Sequence, residues 1–335
     1  MIMENSNKTF ELFRNKKVII TGGLGFIGSN LTKKLVELGA KVTLVDSLIP
    51  EYGGSMFNIH GLEDKVWLNI SDVRDHYSME YLIQGQDYLF NLAGQTSHID
   101  SMKNPKTDLD INCTSQLSIL EACRNQNSSI KVVFASTRQI YGKPDYLPVN
   151  EDHPLRPVDV NGINKMAGEW YHILYNNVYG IGTCVLRLTN TYGPRMRIKD
   201  ARQTFVGIWI KLILQNKPFE VWGGCQLRDF TYINDCVDAL LLAACNDETN
   251  GQVFNLGGAC VVSLKDLADL LVDVNGGGSY SIHEFPAERK KIDIGDYYSD
   301  FSKFEKAVGW RPQIDLREGL TRTLEFFKTN IAEYI

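Results

Sequence analysis

The run Gly22-Gly23-Leu24-Gly25-Phe26-Ile27-Gly28 constrains this chain more than any other stretch. It follows the apolar segment KKVII and satisfies both GxxGxxG and GxGxxG at the point where a helical pattern begins. Side chains at those glycines would block a tight strand-to-helix turn, close packing of helix on strand, and the approach of backbone N–H groups to a pyrophosphate. The helix N-terminus adds positive potential for the phosphates. Asp46 ends the next apolar run eighteen residues after Gly28, close to the offset of about 20 at which an acid binds a ribose 2′-OH. A carboxylate there repels a 2′-phosphate, so the expected cofactor is NAD rather than NADP.

The remaining pattern is the one such a loop requires. Short β-branched runs alternate with longer amphipathic stretches, the sequence form of βαβ units on a parallel sheet. Strands are predicted at Lys17–Thr21, Lys41–Asp46, Val66–Asn69, Tyr88–Leu92, Lys131–Ala135 and Thr183–Leu188. Helices are predicted near Gly25–Leu38, Asp75–Gln84, Thr107–Arg124 and Gly162–Asn177. The expected fold is α/β, a doubly wound parallel Rossmann sheet with a smaller C-terminal α/β substrate lobe. After Thr189 the pattern loosens into segments punctuated by Gly and Pro, which suit loops over a ligand. Asn234–Cys245, apolar on a helical period, and the strand-like Gln252–Leu256 look like a return to the sheet. The expected division is therefore 1–188 with 235–258 for the cofactor domain, and 189–234 with 259–335 for the substrate lobe.

Composition excludes several classes. A net charge of −5 over 335 residues argues against nucleic acid as a partner, which calls for clustered excess Lys and Arg. The seven cysteines are scattered, with no CxxC or Cys/His spacing, so neither a disulfide framework nor a metal site is expected, and a reducing cytoplasm fits. The N-terminal stretch has no continuous apolar core, and no run approaches the roughly 18 apolar residues needed to cross a bilayer. No export and no membrane span are expected.

Further segments resemble the extended short-chain dehydrogenases/reductases that act on nucleotide sugars: the 4-epimerases, 4,6-dehydratases and UDP-glucuronate decarboxylases. The similarity runs over nearly the whole chain. It implies that Gly22, Gly25, Phe26, Ile27, Gly28 and Asp46 hold NAD, that Asp72 and Val73 in SDVRD hold its adenine, and that NLAGQTSHID lines the nicotinamide and the sugar. In that last segment Leu92, Ala93 and Gly94 would face the cofactor, and Gln95, Ser97 and His98 the substrate. Asn112 falls where the family has a structural asparagine beside the cofactor. In LRLTNTYGPRMR, Asn190 matches a position that touches the diphosphate, and Arg195 is placed for a sugar carboxylate. Arg228 in GGCQLRDFTYINDC and Arg289 in ERKKIDIGDYYSD match arginines that clamp the nucleotide phosphates, and Arg202 joins them as a substrate-side cation. Guanidinium forks suit a diphosphate on their own chemistry. The helices near Thr107–Arg124 and Gly162–Asn177 resemble those of a four-helix homodimer contact, although their apolar positions serve a core equally well.

The family's chemistry uses a Ser or Thr and a YxxxK pair. Thr137 matches the hydroxyl position and Lys165 the lysine, but Asn161 stands in the tyrosine's place. A carboxamide is no general base near neutral pH, whereas a phenol with a pKa of about 10 can be tuned into range by a neighbouring cation. Tyr141, His98, or a water held by Asn161 and Thr137 are the substitutes considered. Asn161 can also simply begin a helix, since Asn caps well. Arg138 and Gln139 follow Thr137 where the dehydratases carry Asp and Glu, which disfavours dehydration. The expected activity is 4-epimerisation of a nucleotide-diphosphate sugar, most simply a UDP-sugar, by reversible hydride transfer at C4. Decarboxylation of a UDP-glucuronate-like substrate, net dehydrogenation, and non-catalytic binding of a sugar nucleotide stay open as alternatives.

Overall fold

The computed structural model describes residues 10–335. The first nine residues of the predicted cofactor domain, and with them the start of the N-terminal stretch read above for a leader, lie outside the described residues. Seven parallel strands form the central sheet: β1 (Lys17–Thr21), β2 (Lys41–Asp46), β3 (Val66–Ile70), β4 (Tyr88–Asn91), β5 (Lys131–Thr137), β6 (Thr183–Leu188) and β10 (Gln252–Asn255). Their order is β10-β6-β5-β4-β1-β2-β3. It reverses beside β1, between β4 and β2, and opens a crevice at the carboxyl ends of the strands.

The inner strands β1, β4, β5 and β6 are buried on both faces, which explains their continuous β-branched runs. Along β1, Val18 and Ile20 pack into one apolar cluster with Leu31, Leu35 and Leu240, whereas Ile19 points into another with Leu89, Ile119 and Val132. The first cluster takes in helices Phe26–Glu37 and Ile233–Cys245; the second is covered by His76–Ile83, Ser115–Gln126 and Val160–Tyr179. Among the described residues, no helix is long and apolar enough to cross a membrane.

Beyond β6, β7 (Asn190–Tyr192) and β11 (Val261–Ser263) flank β9 (Leu227–Tyr232) in a three-stranded sheet. β8 (Phe219–Trp222) pairs in parallel with β12 (Tyr280–His283). The predicted return to the main sheet is present, since β10 pairs with β6 at its edge. The predicted Thr107–Arg124 helix is broken into Pro105–Leu109, a π-helical turn Asp110–Thr114, and Ser115–Gln126. The longest helix begins at Val160, and its N-cap is Asp159, whose side chain accepts from the Gly162 N–H. Asn161 is therefore inside the first turn rather than its cap.

Candidate active site

The glycine loop leaves β1 through Gly22, held at φ +69°. A Cβ on Gly28 would run into the Gly22 carbonyl oxygen, and one on Gly23 would press on Leu44. Hydrogen-only positions thus let the helix start lie against the strand and leave a groove above it. Gly22, Gly25, Phe26, Ile27, Gly28, Asp46, Asp72, Val73, Leu92, Ala93 and Gly94 all line that groove.

At its rim, Asp46 accepts from Leu24 N (3.0 Å, Oδ2) and Leu48 N (2.9 Å, Oδ1), so the carboxylate ties loop to strand end and keeps lone pairs for a ribose hydroxyl. Burial pushes its carboxyl up, with the two backbone donors opposing. The nearby cation, Arg74, is committed to Asp72 through Nε (2.9 Å) and Nη2 (2.6 Å), which leaves little to attract a 2′-phosphate. Ser71 also lines the groove, and its Oγ is buried without a partner among the described residues. A glycine cradle, a ribose-facing carboxylate and an orphaned buried hydroxyl together fit NAD.

The groove opens into a cavity of about 670 Å³, and Phe26, Ile27, Leu92, Gly94, Thr96 and Gln203 border both. Thr137, Asn161 and Lys165 line this cavity, as do Gln95, Ser97, His98, Asn190, Arg202, Arg228 and Arg289. Lys165 Nζ donates to the Ala135 carbonyl at 3.1 Å and lies 4.8 Å from the Phe134 ring centroid. Burial pulls its ammonium down to about 8, against the attraction of Asp108 and Glu169. Thr137 Oγ1 caps its own turn, accepting from Gln139 N at 3.2 Å.

Two cations at the far end are ready for an anion. Arg228 donates to the Leu227 and Gly295 carbonyls and pairs with Asp293 at 3.4 Å. Burial, then the charge of Arg138, lowers it to about 10. Arg289 stacks on Trp222, 4.3 Å from the ring centroid. Arg202 pairs with Asp100 at 3.1 Å, and Asn190 Nδ2 is given to the Asp229 carbonyl.

Three residues named as site candidates from the sequence line neither the groove nor the cavity. Tyr141 is fully buried and does not border the cavity: its hydroxyl donates to Asn255 Oδ1 at 2.7 Å and accepts from Arg187 Nη1 at 2.6 Å. Burial pushes its phenol up to about 12. Arg195 also stays outside the cavity. It has a left-handed backbone (φ +71°), and its guanidinium turns to Asn58 O (2.9 Å) and Asn30 Oδ1 (3.1 Å). Asn112, assigned to the cofactor, borders neither hollow; it is fully buried and braces the site by donating to Gln95 O at 2.9 Å.

Asn161 borders the cavity, but its amide faces the protein. Nδ2 donates to Gln95 O at 2.8 Å and to Asp108 Oδ2 at 3.1 Å. What the sequence reading passed over is the carboxylate two residues earlier. Asp159, 2% exposed, accepts from Gly162 N (2.7 Å) and Gln139 Nε2 (2.9 Å), and His98 Nδ1 lies 2.9 Å from its Oδ2 as an ion-pair contact rather than a well-aligned hydrogen bond. Burial works to raise the Asp159 carboxyl, yet His98 and the two donors outweigh it and hold it below the usual range. The Asp-x-x-Gly start of the helix was the available signal. Arg138, also unassigned, lines the cavity, and its Nε is buried with no partner among the described residues.

Comparison with known proteins gives this geometry a context. Residues 18–257 match the model of the NAD dependent epimerase/dehydratase family. The chain is 34% identical to a putative UDP-glucose 4-epimerase of Methanocaldococcus jannaschii over 93% of its own length and 99% of that protein's. The UDP-glucose 4-epimerase of Thermotoga maritima, solved with UDP-glucose, superposes with a TM-score of 0.85 at 29% identity, covering 94% of this chain and 99% of that one. That of Thermus thermophilus, solved with NAD, gives 0.82 at 27% identity, covering 93% and 99%.

Proposed function

This chain belongs to the NAD dependent epimerase/dehydratase family, and on that premise we propose that it inverts the C4 hydroxyl of a UDP-sugar by reversible hydride transfer. The observation that carries the reading is the shared wall between groove and cavity: the cofactor's reactive end and the substrate's sugar would meet beside Thr137 and Lys165. NAD, when bound, supplies a reversible hydride acceptor. The protein's part is to hold and orient. Asp46 would take the adenosine ribose hydroxyls, the Lys165 ammonium the nicotinamide ribose, and Thr137 Oγ1 the sugar oxygen. Arg228 and Arg289 would take the diphosphate through charge-assisted hydrogen bonds.

Epimerisation asks the least of other side chains, because the keto-sugar only has to turn and take back its hydride. The arrangement counts against decarboxylation, since Arg195 is occupied outside the cavity and Gln139 is uncharged. On the same reading, residues 1–188 with 235–258 form the cofactor domain, and 189–234 with 259–335 the substrate lobe. The protein acts as a cytoplasmic homodimer through the exposed apolar face of helix Val160–Tyr179, on which Ile163, Trp170 and Leu174 are at least half exposed.

The test is a panel of UDP-, TDP-, GDP- and CDP-sugars incubated with the purified protein, with products identified by NMR and nicotinamide absorbance followed. The expected result is a C4 epimer from a UDP-sugar with no net NADH. Absence of both product and bound-NADH signal with every sugar would leave a non-catalytic binder.

A further inference from the structure

We infer that the imidazole of His98, oriented by the buried carboxylate of Asp159, is the group that exchanges a proton with the sugar hydroxyl at the carbon being oxidised. The inference rests on the hydride-transfer reading above and supplies the group that reading lacks.

Among the described residues, no tyrosine lines the cavity. Its carboxylates and its lysine are engaged elsewhere. Asp293 is paired with Arg228 and accepts from Gly295 N, Glu220 accepts from Trp222 Nε1, and Lys165 donates to Ala135 O. His98 differs. It opens the helix His98–Lys103, which Ser97 Oγ caps by accepting from Asp100 N, and Ser101 Oγ donates to its carbonyl. The backbone is thus fixed while the ring, 37% exposed, borders the cavity.

One ring nitrogen lies in ion-pair contact with a carboxylate. Nδ1 faces Asp159 Oδ2 at 2.9 Å, and Nε2 has no hydrogen-bond partner among the described residues. A buried carboxylate beside Nδ1 favours the Nδ1–H tautomer, leaves the Nε2 lone pair as acceptor, and stabilises the imidazolium that forms. Gln139 fixes the carboxylate through Nε2 and gives its own N–H to Thr137 Oγ1, so hydroxyl, amide, carboxylate and imidazole form one connected wall.

The step balances. Nε2 takes the C4 hydroxyl proton, the C4 hydrogen passes as hydride to NAD⁺, and the C–O bond becomes a carbonyl, so the sugar loses two electrons and the nicotinamide gains them. On return, the hydride comes to the opposite face and Nε2 gives its proton back to the oxygen.

The experiment uses the NAD-loaded protein with UDP-glucose as probe. His98→Asn is expected to slow the appearance of bound nicotinamide absorbance by about 10²–10⁴-fold, the usual weight of general acid–base catalysis, while UDP-glucose affinity by calorimetry stays within about threefold. Asp159 is a positioning residue. Asp159→Asn is expected to move the ring to the Nε2–H tautomer, read by ¹⁵N NMR of histidine-labelled protein, together with a comparable rate loss. Because Asp159 also caps a helix, the wild-type ring is measured as well: its Nε2 resonance should be that of an unprotonated nitrogen and should move when UDP-glucose binds. Unchanged hydride transfer in His98→Asn overturns the inference, as does an Nε2 that is protonated or insensitive to UDP-glucose. A wild-type chain inert towards every sugar nucleotide overturns the epimerase reading and with it the role of His98, whereas an active wild type with unchanged His98→Asn overturns the role of His98 alone.

Discussion

Asn161 gives one amide proton to Asp108 Oδ2 over 3.1 Å, while the other oxygen of that fully buried carboxylate takes Asn164 Nδ2 at 2.8 Å. The second proton of Asn161 goes to the Gln95 carbonyl, which Asn112 also serves. Lys165 is close enough to feel the charge of Asp108, but no salt bridge reaches this carboxylate among the described residues, so its oxygens have to be met by donors, and these two asparagines provide them. Asn161 therefore has a task of its own, independent of any phenol that the resemblance places at this position.

Asn161→Tyr is accordingly expected to harm rather than repair. A phenol has one donor where the amide has two, so either Asp108 or Gln95 O is left short, at a cost of about 1–3 kcal/mol for an unsatisfied buried group. The thermal midpoint by calorimetry should fall by several degrees, and epimer formation should not rise. A variant as stable as wild type and faster would show that the lock on Asp108 is unimportant.

Tyr141→Phe separates the two candidate rings. Removing the hydroxyl strands Asn255 Oδ1 and takes one partner from Arg187, which keeps its bidentate pairing with Glu169 (2.8 Å for the closest contact). Stability should drop by about 1–3 kcal/mol in denaturant titrations, with kcat for epimerisation within about twofold of wild type. A hundredfold loss of kcat in a folded variant would return Tyr141 to the chemistry.

The contrast between these residues shows what the sequence made legible. β1, β2 and β6 coincide with the predicted ranges, because strands buried on both faces carry continuous β-branched runs with sharp polar ends. The glycine loop and Asp46 sit at fixed offsets along one βαβ unit, and both line the groove. Side-chain direction was not legible. Arg195 occupies its expected place in the segment, yet its left-handed backbone accompanies a guanidinium turned to Asn58 and Asn30. The approach of His98 to Asp159 joins the start of one helix to the N-cap of another, and no local spacing encodes it.

Asp46→Ser should shift cofactor preference. Losing the carboxylate removes the repulsion of a 2′-phosphate but also the acceptor for Leu24 N and Leu48 N, which shape the groove. NAD affinity is expected to fall about tenfold or more, and the ratio of NADP to NAD affinity to rise, both measured by calorimetry. An unchanged ratio would mean that discrimination lies elsewhere along the groove.

Lys165 sets a pH signature of its own. Its ammonium is pulled from the ordinary 10.5 to about 8 by burial, so between those values the unfolded chain holds more protons than the folded one. Stability contributed at this site therefore rises with pH across that window, and the burial penalty is felt in full below pH 8. Lys165→Met removes the titration while keeping an apolar stem of similar length. Without cofactor or substrate, the variant should be more stable than wild type at pH 7, and the gap should narrow towards pH 10, as read from denaturant midpoints. Turnover should fall steeply in the same variant, because the ammonium beside the shared wall of groove and cavity is gone. If the gap were constant with pH, burial of the charge would not be what distinguishes Lys165, and the site's stability cost would have to come from packing instead.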